Sequence, residues 1–118
     1  MSKLVAPHGG KGLVCCLLEG KALDDEKKKA AGLKQIEISS RAKGDLIMMG
    51  IGGFSPLNGF MNKANWKSVC EKMTLADGTF WPVPVTLDAN KDEAGAINVG
   101  DEIALVFKGD VYATMKVT

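Results

Sequence analysis

The sequence has 118 residues, of which 46% are hydrophobic and 25% charged, a composition typical of a soluble globular protein. This composition excludes disordered, collagen-like and disulfide-scaffold proteins, and the length fits one domain over residues 1–118. Fifteen Lys and Arg residues face 14 Asp and Glu, so a net charge of +1 provides no bulk attraction to nucleic acid or to an anionic membrane. The sequence holds one His, one Arg and one Gln, which excludes mechanisms that need paired histidines or clustered arginines.

The cysteines and the N-terminus indicate the compartment. Cys15 and Cys16 are adjacent and Cys70 is distant in sequence, so no zinc-ligand spacing is present. An odd, unspaced set of cysteines favours a reducing environment. The N-terminus has no charged leader followed by a long apolar run. We therefore predict a cytoplasmic location.

The first third of the sequence predicts a strand and a helix. The apolar run Leu13–Leu18 follows a glycine-rich loop and predicts a short buried strand, with its cysteines in the core. The charged segment Leu23–Ala31 predicts a short solvated helix that Asp24 caps and Gly32 ends. Its lysine run is typical of a solvated helix face rather than of a nucleic-acid site.

The middle of the sequence predicts a strand and two helices. Residues 35–38 alternate in polarity, which predicts a strand that turns its two isoleucines inward, and Ser39 or Ser40 caps the helix that follows. Asn62 caps the clearest helix of the chain. Its apolar residues recur at helical spacing and predict a core-facing side, formed by Trp66, Val69, Cys70 and Met73.

The last third predicts turns and strands. Asp77-Gly78 is a strong turn signal, and the two prolines in Trp81–Leu87 predict an edge or broken strand. Ile103–Phe107 predicts a buried strand, and residues 111–117 alternate as a further strand after a Lys-Gly-Asp turn. These three segments predict an antiparallel meander that forms a small barrel. The strand pattern continues to Thr118, which predicts that the sequence is part of a longer one.

Two glycine-rich segments resemble phosphate-binding loops. Gly50–Ser55 approaches the dinucleotide fingerprint, but Ser55 stands where the third glycine or alanine belongs. A structural interpretation explains more: the glycines permit positive φ and Ser55 caps a turn that begins at Pro56. In the segment His8–Gly12, Gly rather than Ser or Thr follows Lys11, so the P-loop match fails.

The remaining candidates for chemistry are isolated residues. His8 has no defined nucleophile beside it in sequence, so a surface or capping role is favoured over that of a base. Three carboxylate pairs lie in charged or turn segments, where nothing indicates the desolvation that separates their pKa values: Asp24-Asp25, Asp92-Glu93 and Asp101-Glu102. The sequence therefore predicts no catalytic, cofactor-binding or metal-binding residue.

Three motifs carry a family resemblance. They are Pro7–Gly10, the segment Gly53–Met61 with the letters GFSPLNGFM, and Leu75–Leu87 with the letters LADGTFWPVPVTL. Together they resemble the N-terminal domain of the ATP sulfurylases, or sulfate adenylyltransferases. The resemblance extends through residues 100–105 and covers essentially the whole chain.

The resemblance implies an α+β, β-rich fold, a small PUA-like antiparallel β-barrel with short flanking helices. It implies an enzyme that joins ATP and sulfate into adenosine 5′-phosphosulfate and pyrophosphate, with Mg-ATP as its substrate. The family's active-site runs, Gln-x-Arg-Asn, His-x-x-His and Gly-Arg-Asp-His, belong to the domain that follows, and no residue here matches them. This piece is therefore expected to bind no cofactor and to be inactive alone.

The expected partners follow from that resemblance. They are the catalytic domain of the same protein and further copies in a homo-oligomer, with no membrane and no nucleic acid. The competing hypothesis is a free-standing PUA-like module that binds RNA or a protein, because PUA-like barrels elsewhere bind RNA. The low net charge and the lack of interleaved aromatic and basic residues in sequence disfavour RNA.

Overall fold

The computed structural model describes residues 4–118, which fold as two compact units. The first unit combines the chain up to Leu17 with Ile47–Thr86, and the second combines Leu18–Leu46 with Leu87–Thr118. The helices and strands follow one another as α1 Gly20–Ala30, β1 Lys34–Glu37, α2 Ser40–Gly50, α3 Lys63–Lys72, α4 Lys91–Gly95, β2 Glu102–Phe107 and β3 Asp110–Lys116.

The second unit is built on one sheet with the strand order β1-β2-β3. Strand β1 runs parallel to β2, with Lys34 opposite Ile103, and β3 runs antiparallel to β2 with a register shift at Leu105 and Val106. The α+β class is confirmed. The predicted antiparallel meander is corrected, because the described strands form one open, mixed sheet whose third member is β1 rather than Trp81–Leu87.

Strand β2 forms the core of the second unit. Its four central residues, Ile103–Val106, are all buried, although successive side chains of a strand point to opposite faces. Both faces of β2 are therefore covered. Ile36 and Ile38 are buried beside it, as their alternation predicted, and the backbone N–H of Ile38 donates to the Val106 carbonyl at 2.8 Å.

The predicted helices are present, but their first and last residues differ from the prediction. Helix α1 begins at Gly20 rather than near Asp24, and its N-cap residue Glu19 makes no capping bond through its side chain. Helix α2 has the predicted serine cap, because Ser39 Oγ accepts from the Ala42 N–H at 3.1 Å. The short helix α4 was not predicted, although Asn90 and Glu93 form a complete capping box at its start.

The first unit contains helix α3 and irregular chain. Asn62 caps α3 as predicted, since its side chain accepts from the Asn65 N–H at 2.9 Å. Both predicted strands, Leu13–Leu18 and Trp81–Leu87, are irregular, so these two predictions were wrong. Within residues 4–118, Leu13–Leu18 makes two backbone-to-backbone hydrogen bonds with other segments, from Cys16 and Leu17 to the carbonyls of Met49 and Gly50, which are too few for a strand.

Ser55 fixes the glycine-rich segment of the first unit. It is the only buried polar residue in the described part of the chain, and it follows Gly52, whose φ is +82°. Ser55 Oγ donates to the Gly52 carbonyl at 2.7 Å and accepts from the Val14 N–H at 2.8 Å. A β-carbon at Gly52 would lie 2.6 Å from Leu13 Cγ, so only glycine fits. The predicted positive φ is confirmed at Gly52, but the Ser55 hydroxyl bonds back to Gly52 and Val14 rather than capping a turn that begins at Pro56.

The two bonds of Ser55 lead to a testable prediction. Ser55→Ala leaves the half-buried Val14 N–H without its partner and removes one of two donors to the Gly52 carbonyl, which keeps the bond from the backbone N–H of residue 55 at 3.2 Å. We therefore expect a loss of about 1–3 kcal/mol in the free energy of unfolding. The matched control is Ser40→Ala at the exposed first position of α2, which should change stability by less than about 0.5 kcal/mol. Urea denaturation of both variants measures the difference, and equal stabilities would contradict the role given to Ser55.

Candidate interaction surface

The structure gives His8 a structural role. Its Nε2 forms a hydrogen bond of 2.5 Å with the carbonyl of Phe80, and its ring lies 6.0 Å from that of Trp81. Neither neighbour is a nucleophile. His8 therefore holds the N-terminal loop against the segment after α3, and its placement supports the sequence interpretation over a catalytic one.

The vicinal cysteines are not core residues. Cys15 and Cys16 are both exposed free thiols, so the prediction of a buried strand with cysteines in the core was wrong. The Cys16 thiol lies 3.6 Å from the Asn58 carbonyl, and partial burial, followed by the neighbouring Cys15, raises the pKa of the Cys16 thiol. A raised pKa lowers the thiolate fraction at neutral pH, so Cys16 is not an activated nucleophile.

Three carboxylates of the predicted pairs make structural contacts. Glu93 caps α4, Glu102 pairs with Lys29 Nζ at 2.7 Å, and Asp101 accepts from the Asn98 N–H at 2.8 Å. Each is explained by a helix end, an ion pair or a turn. Among residues 4–118, no three His, Cys, Asp or Glu side chains gather where a metal ion could bind.

A polar cleft of about 330 Å³ lies at the start of α3. The amide oxygen of Asn65 accepts from the Ala76 N–H at 2.9 Å. Asp77 accepts from the Thr79 N–H at 2.9 Å and pairs with Lys11 at 3.5 Å, and these contacts, the Thr79 bonds first, lower the pKa of the Asp77 carboxyl. The polar groups of this cleft thus serve the turn at Asp77-Gly78, which the sequence predicted.

A second cleft in the first unit is apolar. It has a volume of about 480 Å³ and is lined chiefly by His8, Phe54, Phe80, Trp81, Pro82 and Val83. Phe54 packs edge-on against Trp81 with ring centroids 5.8 Å apart. The indole Nε1 of Trp81 is buried and has no hydrogen-bond partner within residues 4–118. Phe80 and Val83 remain 57% and 60% exposed, so the rim of the cleft is open to solvent.

Helix α3 presents an apolar side beside this cleft. Of the four residues predicted to face the core, only Val69 is buried, whereas Trp66 is 46% exposed, Met73 is 56% exposed and Cys70 is exposed. The prediction of a core-facing side was therefore wrong for three of its four residues. Trp81 connects the helix to the cleft, because its backbone N–H donates to the Met73 carbonyl at 2.8 Å.

We define the apolar surface as the four large, exposed side chains Trp66, Met73, Phe80 and Val83. Trp66 lies in the first half of α3, Met73 is its C-cap residue, and Phe80 and Val83 follow in the next segment, which an isolated bridge joins between Thr74 and Phe80. Their chemistry is that of a contact surface, since they offer apolar area without a nucleophile, an acid–base pair or a metal ligand. Sequence reasoning missed this surface because a helical apolar stripe predicts burial without stating what covers it.

Nearly the whole chain matches a known protein family. A family model described as "PUA-like domain" matches residues 5–118. The chain belongs to the PUA-like domain family. Within the described residues, no helix has the length and apolarity that crossing a bilayer requires.

The relatives of this PUA-like domain confirm the resemblance seen in the sequence. It is 86% identical to a sulfate adenylyltransferase of Desulfovibrio desulfuricans over 99% of this chain and 28% of the relative. It is 72% identical to a sulfate adenylyltransferase of Desulfatibacillum aliphaticivorans over 100% of this chain and 28% of the relative. The chain thus spans less than a third of the length of these relatives.

A solved structure shows the same fold. The PUA-like domain superposes with a TM-score of 0.85 and 30% sequence identity on a hexameric APS kinase from Thiobacillus denitrificans. The match covers 96% of this chain and 23% of that one. The domain therefore occurs there too as a minor part of a much longer polypeptide.

Proposed function

We propose that this PUA-like domain is the non-catalytic N-terminal domain of a sulfate adenylyltransferase, the enzyme that forms adenosine 5′-phosphosulfate and pyrophosphate from ATP and sulfate, or runs the reverse reaction. One observation carries the proposal. The whole of this chain is up to 86% identical to sulfate adenylyltransferases but accounts for 28% of their length. Most of each relative therefore lies outside the matched region, where the catalytic residues are expected.

The chemistry of the reaction supports a non-catalytic role. Attack by the weakly nucleophilic sulfate on the α-phosphorus requires cationic donors concentrated on the phosphate oxygens. The single arginine, Arg41, instead pairs with Asp45 at 3.4 Å and with Asp88 at 3.6 Å. The single histidine is bonded to a backbone carbonyl. The residues best suited to hold a triphosphate are thus already engaged elsewhere.

The proposal extends to the substrate, the location and the oligomeric state of the whole enzyme. Mg-ATP is a substrate of the whole enzyme and is not held by this domain, whose single arginine and single histidine make other contacts. The enzyme works in the cytoplasm, which agrees with three free cysteines in one short chain. It forms a homo-oligomer, an inference supported by the hexameric state named for the similar APS kinase.

An activity assay tests this proposal. ATP formation from adenosine 5′-phosphosulfate and pyrophosphate should be undetectable with the 118-residue chain and clear with the full-length polypeptide that contains it. The control is the chain carrying His8→Ala and Arg41→Gln, because a trace of activity that persists there comes from a contaminating enzyme. Turnover by the unmodified chain that disappears in this variant would contradict a non-catalytic role.

One observation favours the second candidate, an RNA-binding module. In the second unit, Lys43 Nζ lies 4.7 Å and Lys108 Nζ 5.4 Å from the ring centre of Phe107, and Tyr112 packs against that ring at 6.2 Å. This arrangement interleaves lysines with aromatic rings, which the sequence order did not show. Glu37 lies close by, accepting from the Lys108 N–H at 3.1 Å, and its negative charge weakens attraction to phosphates.

Titration with a short RNA hairpin separates the two candidates. If the domain belongs to the enzyme, we expect no saturable binding at about 0.15 M salt, and the same flat response with a Lys43→Gln, Lys108→Gln variant. Binding that is tight, falls steeply with added salt and is lost in the double variant would contradict the proposal and favour the RNA-binding module.

A further inference from the structure

Helix α3 carries an apolar stripe that the described chain leaves uncovered. Trp66 and Cys70 are four residues apart, which places them on one side of the helix, and Met73 follows as the left-handed C-cap residue at the end of the helix. This side is exposed, and Val69 alone is buried beneath the helix. A periodic stripe of this kind normally marks the buried side of a helix, so its exposure here indicates a surface that a further protein segment covers.

The apolar cleft is connected to the C-terminal end of α3. The bond between the Trp81 N–H and the Met73 carbonyl joins the end of α3 to the wall of the cleft, and Phe80 and Val83 extend the exposed apolar area along its rim. The cleft volume of about 480 Å³ is sufficient for one or two large side chains. The apolar surface therefore combines a flat part on the helix with a depression that an aromatic or branched side chain fills.

The charges around the stripe specify the chemistry of the occupant. Lys63 and Lys67 lie along one flank of the stripe, followed four residues later by the exposed Glu71, and neither lysine forms an ion pair with a carboxylate of residues 4–118. Unpaired cations at the rim of an apolar contact favour a partner whose own rim is acidic. They disfavour a second copy of the same surface, because a twofold contact would bring the lysines of both copies into one interface.

The length of the relatives identifies the source of this occupant. The matched sulfate adenylyltransferases contain more than twice as much polypeptide outside the matched region as within it, since the match covers 28% of their length. A segment of the same polypeptide reaches the surface at a high effective concentration, so a contact of modest area is enough to hold it. A free protein partner would need a larger interface to bind stably.

We propose that the apolar surface of Trp66, Met73, Phe80 and Val83 is the docking site for the remaining polypeptide of the same enzyme, through a segment of apolar side chains bordered by Asp or Glu. The inference rests on the proposed function and adds to it the contact surface and the chemistry of the partner. Lys63 and Lys67 pair with the acidic border, and an apolar side chain of the segment enters the cleft beside Trp81.

Cys70 is a natural reporter of this contact, because it lies in the stripe and is exposed. Its rate of alkylation by iodoacetamide is measured by peptide mass spectrometry in the 118-residue chain and in the full-length polypeptide. We expect Cys70 to react at least tenfold more slowly in the full-length protein. The matched control is Lys27→Cys on exposed helix α1 of the second unit, whose rate should change less than twofold.

A pair of substitutions gives an independent measurement. In the full-length protein, Trp66→Ser should restore rapid alkylation of Cys70, whereas Tyr112→Ser should not. The two side chains are similarly exposed, at 46% and 44%, and only Trp66 belongs to the apolar surface. Equal Cys70 rates in the chain and the full-length protein would overturn the inference.

Three further outcomes separate this inference from the proposed function. Protection of Cys70 in the isolated chain that grows with its concentration would overturn the inference in favour of a second copy. Loss of sulfurylase activity from the full-length polypeptide would refute the proposed function on its own, because the alkylation rates do not depend on turnover. An active enzyme with an unprotected Cys70 would refute the docking surface alone.

Discussion

Burial of strand β2 on both faces is the constraint on which the second unit depends. Ile103, Ala104, Leu105 and Val106 are at most 5% exposed, so the chain must supply cover on each side of this strand and a neighbour along each edge. Strand β1 pairs with one edge in parallel and β3 with the other in antiparallel orientation. A parallel pair requires a long connection, and here most of the chain lies between β1 and β2.

The first unit is stabilised by specific contacts rather than by a sheet. It has no sheet among its described residues, and its irregular segments are fixed by a few specific contacts, above all the two hydrogen bonds of Ser55 and the positive φ of Gly52. Some of its apolar side chains are buried, whereas Trp66 and Phe80 are about half exposed. The buried ones are Met49, Leu57, Val69, Leu75 and Val85. The proposed docking of further polypeptide accounts for the exposure of Trp66 and Phe80.

Much of the second unit could be predicted from local sequence. The alternation at Ile36 and Ile38, the run Ile103–Phe107 and the turn at Lys108-Gly109 each specify their own conformation, because strand period and turn chemistry are local properties. The capping box at Asn90 was equally local and could have been found. The parallel pairing of β1 with β2 could not, since it joins residues about 70 positions apart.

The errors in the first unit share one cause. The apolar run Leu13–Leu18, the segment Trp81–Leu87 and the stripe on α3 all have compositions suited to burial, and all three are wholly or partly exposed. Hydrophobic pattern indicates that a side chain favours burial, but it does not say whether the cover comes from the same segment of polypeptide. The apolar surface could therefore be recognised only when the expected core residues were compared with their exposure.

The intact mass of the native protein that carries this sequence tests the central claim most directly. A domain of a sulfate adenylyltransferase should be found in a polypeptide several times heavier than 12.5 kDa, as the 28% coverage of its relatives indicates. A native mass of 12.5 kDa would contradict the account, because the apolar surface would then have no further polypeptide to cover it.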